Sequence, residues 1–390
     1  MFNVLVIADD LTGAAEIAGV GLRYGLPTRL VRDQIVEVGR GVTVVDTDSR
    51  LQPASDASET LRRFVREAPA SHFELIFKKV DSALRGPILP EIEAVMAAYD
   101  RPAALLVPEN PSRGRTIRAG EYRIHGALLQ TTEFADDPDY PARTGNVLEL
   151  LGAATHDRIV CLDPGQEPMA SGITIGAASN AHDMRHWAAR THRHLLPAGG
   201  ADFFQATLEQ HGLVPTRTFS KYLPSGNTLW VCGSVSVYNP DLAKRAEKEG
   251  VVICPMPDRL FRSAQASQMN LWATAICDAL KSKTRAMMLI PQKLDRTPGV
   301  GQRLQATLAQ VVSLVLAKAR VTNLLMEGGA TASAICRKLN WTDFEIRSEL
   351  IAGVVQMRSA NAPEPMIVVK PGSYAWPDSV WAYERHPAAG

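Results

Sequence analysis

Residues 4–16, VLVIADDLTGAAE, decide the fold class of this chain. The apolar run at 4–7 is rich in β-branched side chains and predicts a short buried strand. Thr12 and Gly13 lead into Ala-rich sequence that favours a helix from about Thr12 to Tyr24. A buried strand followed directly by a helix is typical of an α/β fold with a mostly parallel sheet.

Two adjacent carboxylates, Asp9 and Asp10, stand where this first strand ends. Ligands of open α/β sheets bind beyond the carboxyl ends of the strands, so both side chains are candidates for a site. Because the two carboxylates repel each other, a cation, a substrate hydroxyl or a nearby Arg or Lys must balance them. The alternative is that one Asp only caps the following helix.

Polar side chains also follow three further predicted strands, at 42–46, 73–77 and 103–107. Arg and Lys suit a carboxylate or phosphate, whereas Asp and Ser suit hydroxyl groups, so the set predicts a pocket for a polyhydroxy acid. The alternatives are a surface Arg paired with a neighbouring Asp, and a solvated charged loop. The candidate substrate-binding residues are Asp48, Ser49, Arg50, Lys78, Lys79, Asp81, Ser82 and Arg115.

Residues 213–227, punctuated by Pro, Ser and Gly, predict a linker between an N-terminal domain at 1–212 and a C-terminal domain at 228–390. Glycines and hydroxyl side chains follow three predicted strands of the second domain. Such loops offer close backbone approach and N–H donors to a phosphate, although a tight turn with a capping Thr would give the same pattern. The candidates are Gly233, Ser234, Gly328, Gly329, Thr331, Lys370 and Gly372.

Composition excludes several classes of protein. The 390 residues carry a net charge of +1, which gives no basic field for nucleic acid. No apolar run is long enough to span a membrane, and the start of the sequence lacks the features of a signal peptide, so we expect a cytoplasmic protein. The five cysteines are scattered without a C-x-x-C pair, which is typical of reduced thiols.

Two apparent motifs are discounted. The run at 19–25 has the wrong spacing for a dinucleotide fingerprint and lies inside the predicted first helix. A helix predicted from about Ala181 would carry His182, His186, His192 and His194, but it lacks the Glu of an H-E-x-x-H site and is crowded by arginines. We expect a solvated helix face there and predict no dedicated protein site for a metal.

The run Ala8–Ala14 resembles the opening signature of the four-carbon acid sugar kinases. Further runs that resemble this family follow in the family's order, at 46–50, 78–86, 114–116, 120–129, 132–138, 328–332 and 370–372. The sequence departs from the family at Ala83, where a Thr is usual, and at 109–112, where Ala-Phe-Pro is common. It also departs at 373–375, where the final Gly is lost.

The resemblance implies an enzyme that uses ATP and Mg²⁺ to phosphorylate the C4 hydroxyl of a tetronate such as D-threonate or D-erythronate. The N-terminal domain would hold the acid and the C-terminal domain ATP, with the active site in the cleft between them. Asp10, or Asp9, would accept the hydroxyl proton, and Arg85 would assist as a further catalytic residue. A kinase for 3-oxo-tetronate or another hydroxy acid, a non-catalytic sugar-acid-binding protein, and a homodimer all stay open.

Overall fold

The computed structural model describes residues 2–32, 40–137, 139–153, 157–220, 225–233, 240–290 and 299–381. The chain divides into two compact units, Met1–Thr218 and Phe219–Gly390. Each unit is built on a sheet with parallel strands and carries several helices. The expected α/β class with mostly parallel sheets is therefore confirmed.

Unit 1 contains a long parallel sheet and a small antiparallel one. Its strands are β1 (Val4–Ala8), β2 (Thr28–Val31), β3 (Val42–Asp46), β4 (Leu75–Lys79), β5 (Ala103–Val107), β6 (Arg115–Arg118), β7 (Glu121–Ile124), β8 (Ala127–Leu128), β9 (Ile159–Leu162), β10 (Gly172–Gly176) and β11 (Leu195–Gly199). The large sheet has the order β2-β3-β1-β4-β11-β5-β10-β9, with parallel pairs throughout. The small sheet, β6-β7-β8, is antiparallel.

The helices of unit 1 connect these strands, as parallel pairing requires. They are α1 (Leu11–Arg23), α2 (Ala54–Arg66), α3 (Ile88–Ala98), α4 (Val147–Leu150), α5 (Ala181–Ala188) and α6 (Ala201–Gln210). The strand order reverses at β1, because β2 and β3 lie on one side of it and β4 on the other. Ligand crevices form at such switch points, beyond the carboxyl ends of the strands.

Two predictions about unit 1 were wrong. The strand predicted at 73–77 is β4, which begins at Leu75 and includes Lys78 and Lys79, in register with Ile7 and Ala8 of β1. The two lysines stay in a buried strand because their ammonium groups find partners there. The helix predicted to carry four histidines ends at Ala188, and the apolar run that follows forms β11 between β4 and β5.

Unit 2 has a mixed sheet. Its strands are β12 (Thr228–Cys232), β13 (Val252–Pro255), β14 (Arg285–Leu289), β15 (Asn323–Glu327), β16 (Asp343–Ile351), β17 (Val354–Ser359) and β18 (Ala362–Lys370). In the order β13-β14-β12-β15-β18-β17-β16, the first five strands are parallel and the last two pair antiparallel. Its helices are α7 (Pro240–Lys248), α8 (Asp258–Arg262), α9 (Ala266–Lys283), α10 (Val300–Lys318) and α11 (Gly329–Lys338).

Two stacked tryptophans in the core of unit 2 lie beside two arginines. The rings of Trp230 and Trp381 are parallel to within 3°, with centroids 5.7 Å apart. The guanidiniums of Arg285 and Arg245 lie 5.3 Å from the Trp230 and Trp381 rings respectively. These contacts hold residue 381 against the first strand of the unit.

Across the described ranges, no helix is both long and apolar enough to cross a bilayer.

Candidate functional site

Arg50 joins the ends of β1 and β3. Asp9 and Asp10 directly follow β1, and Arg50 lies in the loop after β3. Arg50 donates to both carboxylate oxygens of Asp9, from Nε at 2.7 Å and from Nη2 at 3.1 Å. Its Nη2 also donates to Oδ1 of Asp10 at 2.7 Å. The guanidinium therefore supplies the balancing charge that two adjacent carboxylates need.

Asp10 also caps helix α1. Its Oδ1 accepts from the backbone N–H of Gly13 at 2.8 Å, and its Oδ2 accepts from the Thr12 hydroxyl at 2.7 Å. The capping interpretation of this residue is thus confirmed, and its role in a ligand site stays a prediction. Burial raises the pKa of Asp9, but attraction to Arg50, Lys78 and Lys79 outweighs burial and holds that pKa below its ordinary value. Asp9 is therefore ionised at neutral pH.

The loop after β4 extends this cluster. Asp81 accepts from Nε and Nη2 of Arg85 at 2.8 and 3.0 Å, and Nη1 of Arg85 donates to Asp137 at 2.9 Å. Nη1 of Arg50 lies 3.6 Å from Oδ1 of Asp81. Burial opposes the charge of Asp81, yet Arg85 and Arg50 hold its pKa well below the usual range. Carboxylates and guanidiniums therefore alternate along this edge of the sheet, from Asp10 to Asp137.

Side chains of the small sheet, and of the segment that follows it in sequence, contact these loops. Arg115 donates to the Ser82 hydroxyl, and the Tyr122 hydroxyl donates to the Ser82 carbonyl. The Tyr140 hydroxyl donates to the Arg50 carbonyl at 2.7 Å. The ring of Phe134 lies under two guanidiniums, 5.3 Å from that of Arg85 and 5.5 Å from that of Arg115. Residues of this segment thus contact three predicted site arginines.

Two predicted substrate-binding residues lie in a buried layer beneath the cluster. Lys78 and Ser49 have no exposed surface. The Lys78 ammonium is 2.8 Å from Oε2 of Glu91 and donates to the Lys79 carbonyl at 2.8 Å. The Ser49 hydroxyl donates to Oε1 of Glu91. Their contacts are with the protein, and they support the loops that carry Asp9 and Arg50.

Lys79 and Asp48 occupy the margins of this cluster. The Lys79 ammonium donates to the Val80 carbonyl at 2.7 Å and lies 3.8 Å from Oε2 of Glu16 on α1. The Asp48 side chain is 36% exposed and lies 3.2 Å from Nη2 of Arg32. Asp48 is thus the most accessible of these carboxylates, whereas Lys79 lies beneath the start of α1.

In unit 2, the predicted loops meet at the ends of three neighbouring strands. Cys232, Glu327 and Lys370 are in register at the ends of β12, β15 and β18. Gly233 follows β12, and a Cβ at this position would collide with the Thr331 side chain on α11. This close approach requires glycine. Gly328 and Gly329 lie at the start of α11, Gly372 lies just beyond β18, and Ser234 lies outside the described residues.

A buried acidic side chain, Glu109, stands in the loop after β5. It has no exposed surface, and its Oε1 accepts from the backbone N–H of Ala178 at 2.8 Å. Its Oε2 has no hydrogen-bond partner among the described residues. Burial raises the pKa of Glu109 well above its ordinary value. Glu109 therefore carries a proton over a wider pH range than an exposed glutamate does.

Several side chains at these sites were missed in the sequence analysis. Glu91 lies within a helix whose amphipathic pattern gives no sign of its contact with Lys78. Glu327 lies at the end of an apolar strand, one residue before the predicted glycines. Phe134 and Asp137 reach their arginines from a segment distant in sequence, so no local spacing could have revealed them. The one available signal was the resemblance of the Thr132–Pro138 run to the four-carbon acid sugar kinases.

Two family models match the chain. The Sugar-binding N-terminal domain matches residues 4–196, and the Nucleotide-binding C-terminal domain matches residues 242–374. The chain belongs to the family that these two domains define. The charged cluster of unit 1 lies within the sugar-binding domain, and the strand ends of unit 2, from Glu327 to Gly372, lie within the nucleotide-binding domain.

Relatives named as sugar-acid kinases confirm the resemblance. A D-threonate kinase of Salmonella typhimurium is 23% identical over 395 residues, covering 89% of each chain. A 3-oxo-tetronate kinase of Methylobacterium radiotolerans is 26% identical over 412 residues, covering 95% of this chain and 96% of the relative. A D-erythronate kinase of Heliobacterium modesticaldum is 31% identical over 159 residues, covering 39% of this chain and 36% of the relative.

Solved structures share the fold of this two-domain family. The crystal structure of a Salmonella typhimurium LT2 protein superposes with a TM-score of 0.76 at 19% identity, covering 96% of this chain and 97% of the other. That of a Haemophilus influenzae protein gives a TM-score of 0.67 at 19% identity, covering 96% and 98%.

Proposed function

We propose that this protein is an ATP-dependent kinase that phosphorylates the terminal C4 hydroxyl of a four-carbon sugar acid such as D-threonate or D-erythronate. The observation that carries the proposal is the alternation of Asp and Arg side chains along the strand ends of the sugar-binding domain. Arginines provide forks for a carboxylate, and carboxylates accept hydrogen bonds from hydroxyls, so the cluster fits a polyhydroxy acid. The names of the relatives support the same substrate class.

In the proposed reaction, Asp10 or Asp9 accepts the proton of the attacking hydroxyl. Arg50, Arg85 and Arg115 bind the substrate carboxylate or the transferred phosphoryl group. Asp81, Ser82, Asp48 and Lys79 complete the substrate-binding set, and Lys78 and Ser49 act on it through Glu91. Since Asp9 and Asp10 already pair with Arg50, binding of an anionic substrate has to redistribute these contacts.

ATP is assigned to unit 2, at Gly233, Ser234, Gly328, Gly329, Thr331 and Gly372, with Lys370 beneath the last loop. Glycines and helix N-terminal N–H groups suit phosphate oxygens. Mg²⁺ would neutralise charge on the β- and γ-phosphates. Such a cation would be held chiefly by phosphate oxygens and water.

One experiment tests the proposal directly. ADP release with ATP and Mg²⁺ is measured over D- and L-threonate, D- and L-erythronate and 3-oxo-tetronate. Turnover with one acid, together with NMR evidence for a phosphate ester at C4, supports the assignment. ATP binding without turnover on any acid would overturn the proposed substrates, and the absence of both ATP binding and turnover would favour a sugar-acid-binding protein.

A second candidate substrate is 3-oxo-tetronate. The 3-oxo-tetronate kinase of Methylobacterium radiotolerans aligns with nearly the whole of this chain. The loop at 109–112, which departs from the common family form, also carries the buried Glu109. The same panel of acids separates the two candidates.

We further propose that the enzyme works in the cytoplasm. Light scattering of the purified protein tests whether it forms a homodimer.

A further inference from the structure

A buried ion pair lies under the glycine loops of unit 2. Glu327 and Lys370 end the neighbouring strands β15 and β18, and each is only 1% exposed. Nζ of Lys370 is 2.8 Å from Oε2 of Glu327. The indole N–H of Trp376 donates to the same oxygen at 3.1 Å, and the Lys370 ammonium lies 5.2 Å from the Trp376 ring centre. The second oxygen of Glu327 has no hydrogen-bond partner among the described residues.

The pair is tied to both predicted phosphate loops. Glu327 directly precedes Gly328 and Gly329, where α11 begins. The Lys370 ammonium donates to the carbonyls of Pro371 at 3.2 Å and Gly372 at 3.5 Å. The N–H of Gly328 donates to the Lys370 carbonyl at 3.0 Å, which links the two loops. The position of each loop therefore depends on the same pair of charges.

We propose that Glu327 and Lys370 are positioning residues that hold the loops at 328–329 and 371–372 in the arrangement that binds the phosphates of ATP. Lys370 acts from beneath the loop rather than by contact with phosphate. This inference rests on the proposed function, because it takes ATP as the ligand of unit 2.

Energetics distinguish this role from a purely structural one. Desolvation of two charges offsets most of their attraction, so replacing a buried ion pair by uncharged groups of similar size is often neutral or stabilising. If the pair only stabilises the fold, removal of both charges should lower the stability of the protein. If the pair positions the loops, removal of both charges should weaken nucleotide binding instead.

The test is the double variant Glu327→Gln/Lys370→Met in the full-length protein. We expect its midpoint of urea unfolding to match or exceed that of the wild type. We expect its Kd and KM for ATP to rise about tenfold or more, because displaced loops lose aligned donors, with the KM for the sugar acid unchanged. The control is the double variant Arg320→Met/Glu364→Gln, which removes an exposed ion pair of the same unit with an N–O distance of 2.7 Å. It should change neither the stability nor the affinity for ATP.

A double variant with unchanged ATP affinity, or with weaker binding of both substrates alike, overturns the inference. If that variant does not fold, Trp376→Phe decides, since it removes the indole donor and keeps a ring beside Lys370. A raised KM for ATP alone then supports the inference, and unchanged kinetics overturn it. Wild-type protein that fails to bind ATP overturns the proposed function as well, whereas wild-type turnover with unaffected variants overturns this inference alone.

Discussion

Arg50 and Asp9 form a two-point ion pair across the ends of two adjacent parallel strands, with Nε–Oδ2 at 2.7 Å and Nη2–Oδ1 at 3.1 Å. The same guanidinium reaches Asp10 at 2.7 Å. One cation thus serves two carboxylates, and a substrate that binds Arg50 changes the electrostatic environment of both. In the proposed reaction, this coupling would link binding of the acid to activation of the carboxylate that we propose as the proton acceptor.

Replacing Asp10 by Asn should lower kcat by about 10²- to 10⁴-fold, because the amide cannot accept the hydroxyl proton. Asn is a good N-cap, so helix α1 should keep its start and the protein its stability. Steady-state kinetics and urea unfolding check both parts. Asp9→Asn is measured in parallel, and a larger loss of kcat there than at Asp10 would make Asp9 the base. Unaltered turnover in both variants would remove this pair from the mechanism.

Gly13→Ala should impair activity through Asp10. A Cβ at residue 13 would lie 2.7 Å from Oδ1 of Asp10 and 3.2 Å from the Lys79 ammonium, so the carboxylate must move. We expect kcat to fall by about tenfold or more, since small displacements of a reacting group are costly. The control is Gly301→Ala in α10, where a Cβ meets nothing within 4 Å and should stabilise the helix by roughly 1 kcal/mol. Equal kinetics of the two variants would contradict the prediction.

Phe134→Leu should raise the KM for the sugar acid several-fold and leave the KM for ATP unchanged, because Arg85 and Arg115 lose their shared aromatic contact. Phe64→Leu is the matched control in unit 1. Phe64 is also a buried aromatic beside a guanidinium, that of Arg63 at 5.2 Å, but it lies on α2. Both variants should lose similar stability in thermal unfolding. A raised KM for the acid in the control too would assign the effect to general loosening of the unit.

Glu109→Gln should change how stability depends on pH. Burial raises the pKa of Glu109 well above its ordinary value of 4.5, so the folded protein binds this proton more tightly than the unfolded chain. The free energy of unfolding of the wild type therefore falls as the pH rises from 4.5 toward the folded pKa, by at most about 1.4 kcal/mol per pH unit for this group. The Gln variant lacks this contribution.

The measurement is urea unfolding of both proteins from pH 5 to 8, a range chosen to lie above the ordinary glutamate pKa of 4.5. The stability of Glu109→Gln relative to the wild type should increase with pH until the pH exceeds the folded pKa of Glu109. Glu59→Gln, at an exposed position on α2, controls for the loss of one charge. A difference that does not vary with pH would show that Glu109 is ionised in the folded protein.

The side chains that could be predicted from sequence are those directly beyond strand ends. Asp9, Arg50 and Asp81 come together because the carboxyl ends of parallel strands meet at one edge of a sheet, and this follows from strand order alone. The roles of Lys78 and Lys370 could not be predicted, since each is the partner of a glutamate that no spacing singles out. Their burial depends on strand register, which single-sequence patterns do not define.

The small sheet and β11 are secondary-structure elements that could not be predicted from the sequence. The strands β6 to β8 are four residues long or shorter, at or below the length at which an alternating pattern marks a strand in sequence. The run at 195–199 contains Pro197 and Gly199, and it forms a central strand only because β4 and β5 leave a space between them. Tertiary context, rather than local preference, decides both.

The place of β11 has a consequence for biosynthesis. This strand comes last in unit 1, yet it hydrogen-bonds to both β4 and β5 in the middle of the sheet. Until residues 195–199 leave the ribosome, the two halves of that sheet present unpaired edges to each other and to the surrounding solution. We therefore expect nascent chains that stop short of β11 to be sensitive to protease and to need chaperones, with protection appearing abruptly once this strand is available.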